Sequence, residues 1–181
     1  MPHSDHGHIE PRAPGEIVSA AATVDARKAI KIEDRITIDR PRDDVFSIWR
    51  NFELLPNYVD DLETVTALGE GRSHWVARIP GGRRVEWDSE MVNEIPGALV
   101  AWKTVGNPDV AHAGSVHFRD VAAGATEFRI VVDYEPPGGR VAALMSNFTM
   151  LFGQSPEQRL RAALEKFKQR IETGTPRFAD R

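Results

Sequence analysis

The chain has 181 residues, a formal net charge of -4 and no cysteine. The length fits one domain with a tail, and the lack of cysteine excludes a disulfide scaffold, a thiolate nucleophile and cysteine-ligated metals. With 23 basic and 27 acidic residues, the charge balance indicates no nucleic-acid partner. No apolar run approaches the roughly 18 residues of a transmembrane segment, and the first residues lack a secretory signal, so we expect a cytoplasmic protein.

Both chain ends are predicted to lie outside the folded domain. Residues 1–28 contain several prolines and little that could form a core, which is typical of a flexible tail. The tail also carries His3, His6 and His8, but imidazoles on a flexible segment lack a preorganised ligand shell. We therefore predict no metal site and no cofactor, a domain over residues 29–173, and a short C-terminal tail over 174–181.

The domain is predicted to begin with a strand and two short helices. Apolar residues alternate between Ile30 and Ile38, as expected of a half-buried strand. Pro41, followed by two aspartates, predicts the start of a helix. Asn51 is a candidate N-cap for a second short helix that ends near Asn57.

A run of antiparallel strands is predicted next, because short alternating segments are separated by turns rich in glycine and proline. The Gly81-Gly82 pair favours a two-residue hairpin turn, since both central positions of such a turn favour positive φ. The predicted strands are 62–68, 72–79, 83–93, 98–105, 113–120 and 125–135.

The last part of the domain is predicted to be one long helix with a break. Apolar residues recur at steps of three and four over residues 141–152, and Gly153 can end that segment. Ser155, Pro156 and Gln158 then form a capping-box pattern that starts a second segment. Its apolar side comprises Leu160, Leu164, Phe167 and Ile171, and it is predicted to end near Gly174 and Pro176.

This order of elements predicts an α+β fold of the helix-grip kind. A curved antiparallel sheet of about seven strands would carry two short helices after strand 1. The long broken C-terminal helix would lie across the concave face, so that both apolar surfaces are buried. Such an architecture leaves a cavity between the sheet and the helix.

Several segments resemble the SRPBCC superfamily, the START-related helix-grip proteins, and most closely its polyketide cyclase/dehydrase and lipid-transport branch. They are residues 36–46 (ITIDRPRDDVF), 49–56 (WRNFELLP), 73–76 (SHWV), 85–88 (VEWD), 114–118 (GSVHF) and 134–139 (YEPPGG). The resemblance covers about residues 29–173. It implies the helix-grip fold and a cavity for an apolar or aromatic small molecule, and it carries no universal catalytic motif.

Aromatic and hydroxyl side chains are the candidate ligand-binding groups. An indole offers a large apolar face and one donor, although core packing is the alternative role for each tryptophan. Trp75 and Trp87 flank the predicted hairpin and could be cross-strand neighbours. An inward hydroxyl, including that of Thr104, would bond to the protein or orient a ligand. The predicted ligand-binding residues are Trp49, Tyr58, Trp75, Trp87, Ser89, Trp102, Phe118, Phe128, Tyr134, Met145 and Phe148.

We predict no catalytic residues from motifs. His112 and His117 are five apart in one predicted strand and should lie on opposite faces, which argues against a shared metal. Glu86, Asp88 and Glu90 alternate with less polar residues, as expected of the solvent-facing side of a strand. Phosphate-binding loops, nucleophile elbows and metalloprotease motifs do not occur in the sequence.

The leading hypothesis is therefore binding of a hydrophobic small molecule, such as a lipid, a quinone or a polyketide-like compound. An aromatase/cyclase or dehydratase acting on a β-keto chain is the alternative, and it predicts a hydroxyl, histidine or carboxyl group with perturbed titration inside the cavity. A third hypothesis is a protein-interaction module with a vestigial cavity. The sequence contains no clear dimer seam and leaves the oligomeric state open.

Overall fold

The computed structural model describes Val24 and residues 29–78, 82–135 and 155–174. Its strands are β1 (Ile30–Ile38), β2 (Leu62–Gly69), β3 (Arg72–Arg78), β4 (Arg84–Ile95), β5 (Leu99–Val105), β6 (His112–Ala122) and β7 (Ala125–Tyr134). Its helices are α1 (Arg42–Arg50), a 3-10 helix (Phe52–Asn57) and α2 (Pro156–Thr173). The strands form one antiparallel sheet in the order β1-β7-β6-β5-β4-β3-β2. This arrangement confirms the predicted α+β helix-grip fold.

The strand boundaries follow the turn residues that the sequence supplies. Each boundary lies within two residues of the predicted one. Gly97 and Gly124 adopt φ angles of 71° and 73° between successive strands, a region that glycine enters without steric cost. The hairpin residue Gly81 and the predicted helical segment 141–152 lie outside the described residues.

Neither of the two short helices begins with a side-chain cap. Asn51 occupies the N-cap position of the second helix, as predicted, but its side chain makes no capping hydrogen bond. That helix is a 3-10 helix, a form used in short pieces, and it contains Pro56, which has no N–H for a helical bond.

Helix α2 begins and ends as the sequence predicts. Ser155 Oγ accepts a hydrogen bond from the Gln158 backbone N–H at 3.3 Å, and Gln158 Oε1 accepts one from the Ser155 N–H at 2.9 Å. Gly174 ends the helix in the left-handed conformation, with φ of 64°. At this end the Glu172 carboxylate accepts a hydrogen bond from the Asp39 N–H at 2.6 Å, which ties α2 to the turn after β1.

An aromatic cluster joins α1, α2 and the sheet. Phe128 of β7 and Phe167 of α2 are fully buried, with ring centroids 5.1 Å apart. Trp49 of α1 packs edge-on against both rings, at 5.1 and 5.7 Å. Phe118 continues the cluster across β6, 5.5 Å from Phe128. This part of the concave face is therefore filled by the protein's own rings.

Candidate ligand-binding site

A row of polar side chains crosses the concave face from β3 to β7. Ser89 pairs with Ser73 on one side and with Thr104 on the other, and His112 pairs with Tyr134. A hydrogen bond joins the first three residues to the last two, because Thr104 Oγ1 accepts from the His112 backbone N–H at 3.2 Å. Neighbouring strands lie about 4.8 Å apart, so polar groups recur at that interval across the face. We call these five residues the polar row.

Indole rings border the polar row on both sides. Trp75 and Trp87 pair across β3 and β4, and their rings stack at 6.0 Å with an interplanar angle of 15°. This confirms that they are cross-strand neighbours. On the other side of the row, Trp102 pairs with Met91. A ligand on this face would meet flat apolar surfaces with a line of polar atoms between them.

Gly114 determines where the Trp102 ring lies. A Cβ atom on Gly114 would be 2.6 Å from Trp102 Cζ2 and 2.8 Å from the Val131 backbone oxygen, distances that real Cβ contacts essentially never reach. The indole therefore covers β6 at a position that only glycine leaves open. This contact places an aromatic surface beside the polar row.

The hydroxyl groups of the polar row differ in their hydrogen bonding. Ser73 Oγ accepts a bond from Trp75 Nε1 at 2.7 Å. Ser89 is only 3% exposed, and its Oγ has no hydrogen-bond partner among the described residues. A buried hydroxyl without a partner costs roughly 1–3 kcal/mol, so Ser89 is the serine of the row with unused bonding capacity.

His112 and Tyr134 complete the row with two titratable groups. His112 Nδ1 lies 3.1 Å from the Val110 carbonyl oxygen, which can only accept, so Nδ1 carries the proton and Nε2 keeps a free lone pair. Burial lowers the pKa of His112, which favours the neutral ring. Burial, and then the nearby Glu157 carboxylate, raise the pKa of Tyr134, so its phenol remains a donor. One end of the row thus offers an acceptor and a donor.

An open cavity of about 500 Å³ adjoins the other end of the row. It lies between α1 and the 3-10 helix on one side and β2, β3 and β4 on the other. Phe46, Phe52, Val65 and Met91 form much of its apolar lining, and Ser73 belongs both to this lining and to the polar row. The cavity and the row therefore form one continuous surface.

The structure divides the predicted ligand-binding residues into groups. Trp75, Trp87, Ser89, Trp102 and Tyr134 lie on or beside the polar row. Trp49, Phe118 and Phe128 belong to the aromatic cluster, and Tyr58 contacts it through Phe167 at 6.2 Å. Met145 and Phe148 lie outside the described residues.

Sequence reasoning missed Ser73 and the inward position of His112. Ser73 lies two residues before Trp75 in the same strand, and this spacing is the sequence signal that the two side chains share a face. His112 was considered only as a metal ligand, because its contact with Trp87, at 5.1 Å between ring centroids, requires the strand register to be known.

The opposite face of the sheet carries His74 and His117, the other two histidines of the described residues, together with charged side chains. His117 lies there, 3.1 Å from Ser115 Oγ and opposite Arg129, so the two histidines of β6 do lie on opposite faces. His74 Nδ1 lies 2.7 Å from an Asp88 carboxylate oxygen, in keeping with the predicted solvent-facing side of β4. The described part of the chain has no group of three histidine or acidic side chains placed to hold a metal, and none of its helices has the length and hydropathy of a membrane span.

Comparison with known proteins identifies the sequence pattern of one family. The pattern described as "Polyketide cyclase / dehydrase and lipid transport" matches residues 29–172. An uncharacterised 17.2 kDa protein from Streptomyces lincolnensis is 29% identical over 106 residues, which cover 59% of this chain and 69% of that protein.

Solved structures share the fold. A protein from Deinococcus radiodurans superposes with a TM-score of 0.61 and 27% identity, over 80% of this chain and 98% of that one. A START superfamily protein from Mycobacterium smegmatis gives 0.63 and 13%, over 80% and 99%. The Zhui aromatase/cyclase from a Streptomyces species gives 0.52 and 17%, over 80% and 87%. The last two identities support the fold alone.

Proposed function

Because this chain belongs to the polyketide cyclase/dehydrase and lipid transport family, we propose that it binds a hydrophobic small molecule that carries oxygen-bearing groups. The proposed ligand lies on the concave face, with its apolar part against the indoles and its polar groups on the polar row. The observation that carries this proposal is the Ser89 hydroxyl, which is buried between Trp75–Trp87 and Trp102 and has no hydrogen-bond partner in the part of the chain that the structure describes.

The chemistry of the row supports an oxygen-bearing ligand over a plain hydrocarbon. A hydrocarbon would leave the Ser89 hydroxyl and His112 Nε2 without partners in a dry environment, which is unfavourable. A carbonyl oxygen could accept from Ser89, and a ligand hydroxyl could donate to His112 Nε2. Stacked indoles supply the apolar area that dominates the affinity of such sites.

Native mass spectrometry of the protein purified from its own host is the primary test. We expect a co-purifying small molecule that is lost on denaturation. The neutral fluorophore phenylnaphthylamine then reports on the apolar surface in the emptied protein. Trp87→Ala should weaken its binding severalfold, whereas His117→Gln, on the opposite face, should leave it unchanged. If neither a co-purifying molecule nor fluorophore binding is found, the proposed function is wrong.

A second candidate function is cyclisation or dehydration of a β-keto or β-hydroxy chain. His112 favours it: a neutral imidazole with a free Nε2, paired across the strands with the protonated Tyr134 phenol, suits proton abstraction and proton donation. In a dehydration, Nε2 would take the proton from the carbon next to the carbonyl, and the β-hydroxyl would leave as water with a proton from the phenol.

This candidate is tested with a synthetic 3-hydroxyacyl thioester, by following the absorbance of the conjugated product. We expect turnover in the wild type, a loss of at least about a hundredfold in His112→Gln, and normal turnover in His117→Gln. If the wild-type protein binds phenylnaphthylamine but never turns over the thioester, dehydratase activity is excluded for that substrate and binding remains the function.

A further inference from the structure

Two polar contacts hold the helical wall of the cavity to the sheet. Arg50 Nε, at the end of α1, lies 2.5 Å from a Glu94 carboxylate oxygen of β4. The Glu53 carboxylate of the 3-10 helix accepts a hydrogen bond from the Ala67 backbone N–H of β2 at 3.0 Å. Residues 50–53, which we call the corner between the two helices, all line the cavity. The corner is therefore held to β4 and to β2, the two neighbours of β3 in the sheet.

The Glu94 side chain lies on the concave face of the sheet. Glu94 pairs with Val100 of β5, which is fully buried in the core. Val100 lies two residues before Trp102 in the same strand, so their side chains share a face. A register shift after Met91 adds one residue to β4, so Met91 and Glu94 face the same way although they are three residues apart. The ion pair with Arg50 therefore joins α1 to the face that carries the ligand site.

The corner is a joint that touches the indole surface of the site. Asn51 has φ of -85° and ψ of 80°, outside the helical region, so α1 and the 3-10 helix meet at a single non-helical residue. The Arg50 guanidinium carbon lies 6.0 Å from the centroid of the Phe52 ring. That ring in turn lies 5.4 Å from the Trp75 ring, which borders the polar row. A displacement of the corner would therefore change the surroundings of Trp75.

We propose that the Arg50–Glu94 ion pair is a latch that limits how fast the ligand enters and leaves the site. While the pair is made, the corner stays against the sheet and keeps the route past Phe52 to the polar row narrow. When the pair breaks, the corner turns at Asn51 and the route widens. The two side chains are 44% and 27% exposed, and an ion pair that solvent reaches is weak enough to break and re-form. The inference rests on the proposed function, since it assigns a control element to the same site.

The experiment measures the rate constants of phenylnaphthylamine association and dissociation by stopped-flow fluorescence. We expect Arg50→Gln and Glu94→Gln each to raise both rate constants about threefold, and to change the dissociation constant by less than about twofold. Combining the two substitutions should add nothing, because both remove the same contact. Arg50→Glu together with Glu94→Arg reverses the charges and should return both rate constants toward those of the wild type.

Two control variants remove a charge without breaking the latch. Glu53→Gln acts in the same cavity lining, but its amide oxygen can still accept the Ala67 N–H, so both rate constants should stay unchanged. Arg119→Gln breaks the exposed ion pair with Glu127, outside the cavity lining, and should also leave them unchanged. High salt should speed exchange in the wild type and not in the Glu94→Gln variant, since salt screens the ion pair.

The outcomes separate this inference from the function on which it rests. If phenylnaphthylamine binds but its rate constants are the same in Arg50→Gln, Glu94→Gln and the wild type, the latch is refuted and the hydrophobic site stands. An effect of Arg50→Gln that Glu94→Gln does not share also refutes it, because Arg50 then acts by contacting the fluorophore. Exchange in the wild type that salt does not speed refutes the latch without any substitution. If the fluorophore does not bind the wild type, the proposed function itself fails.

Discussion

Replacing Gly114 with alanine is the most direct test of how the concave face is built. The added Cβ would meet Trp102 Cζ2 at 2.6 Å and the Val131 backbone oxygen at 2.8 Å. Ordinary carbon contacts are about 3.5–4.0 Å, so each contact is short by about 1 Å. The Val131 oxygen belongs to the β6–β7 pair and cannot easily move, so the β6 backbone must shift at residue 114 and the indole must also leave its position.

Such overpacking typically costs 1–3 kcal/mol, and we expect Gly114→Ala to lower the free energy of unfolding by about 2 kcal/mol. Urea denaturation followed by circular dichroism measures this change. The same variant should weaken phenylnaphthylamine binding, because the displaced Trp102 no longer borders the polar row.

A double-mutant cycle with Trp102→Phe isolates the clash. The smaller ring removes the 2.6 Å contact, so the cost of Gly114→Ala should shrink by about 1 kcal/mol in the Trp102→Phe background. A destabilisation below about 0.5 kcal/mol in the wild-type background, or an equal cost in both backgrounds, would refute the close packing of Trp102 on Gly114.

Three further predictions concern stability. Ser89→Ala removes a buried hydroxyl that has no partner among the described residues, so thermal denaturation should show a ligand-free protein more stable by about 1 kcal/mol. A clear loss of stability would show that the hydroxyl has a partner. Burial lowers the pKa of His112, so below about pH 6.5 the unfolded chain binds more protons than the folded protein and the free energy of unfolding falls. His112→Gln should flatten this part of the pH profile of stability, measured by urea denaturation. The hydrogen bonds from Lys166 and Arg170 hold the pKa of Asp60 below its usual value. The stability that the Asp60 carboxylate contributes is therefore present at neutral pH and is lost below about pH 4. Asp60→Asn should reduce this loss of stability in acid, and an unchanged dependence of stability on pH below about 4 would contradict the prediction.

The candidate site was only partly visible in the sequence. Trp75 and Trp87 could be paired because a hairpin signal lies between them, and Ser89 follows Trp87 on the same face. By contrast, the sequence could not distinguish Trp49, a core residue, from the tryptophans beside the polar row. Only its packing against Phe128 and Phe167 assigns it to the core. Each indole has the same intrinsic chemistry, and its surroundings decide its role.

The sequence by itself determined the seven strands, the two short helices and the start and end of α2, because alternation, glycine turns and the Ser155 cap act over a few neighbouring residues. The register between strands and the burial of each side chain depend instead on the tertiary structure. Thr104 and Tyr134 join one row only when β5, β6 and β7 pair in a particular alignment, since a slip of one residue would turn either side chain to the opposite face.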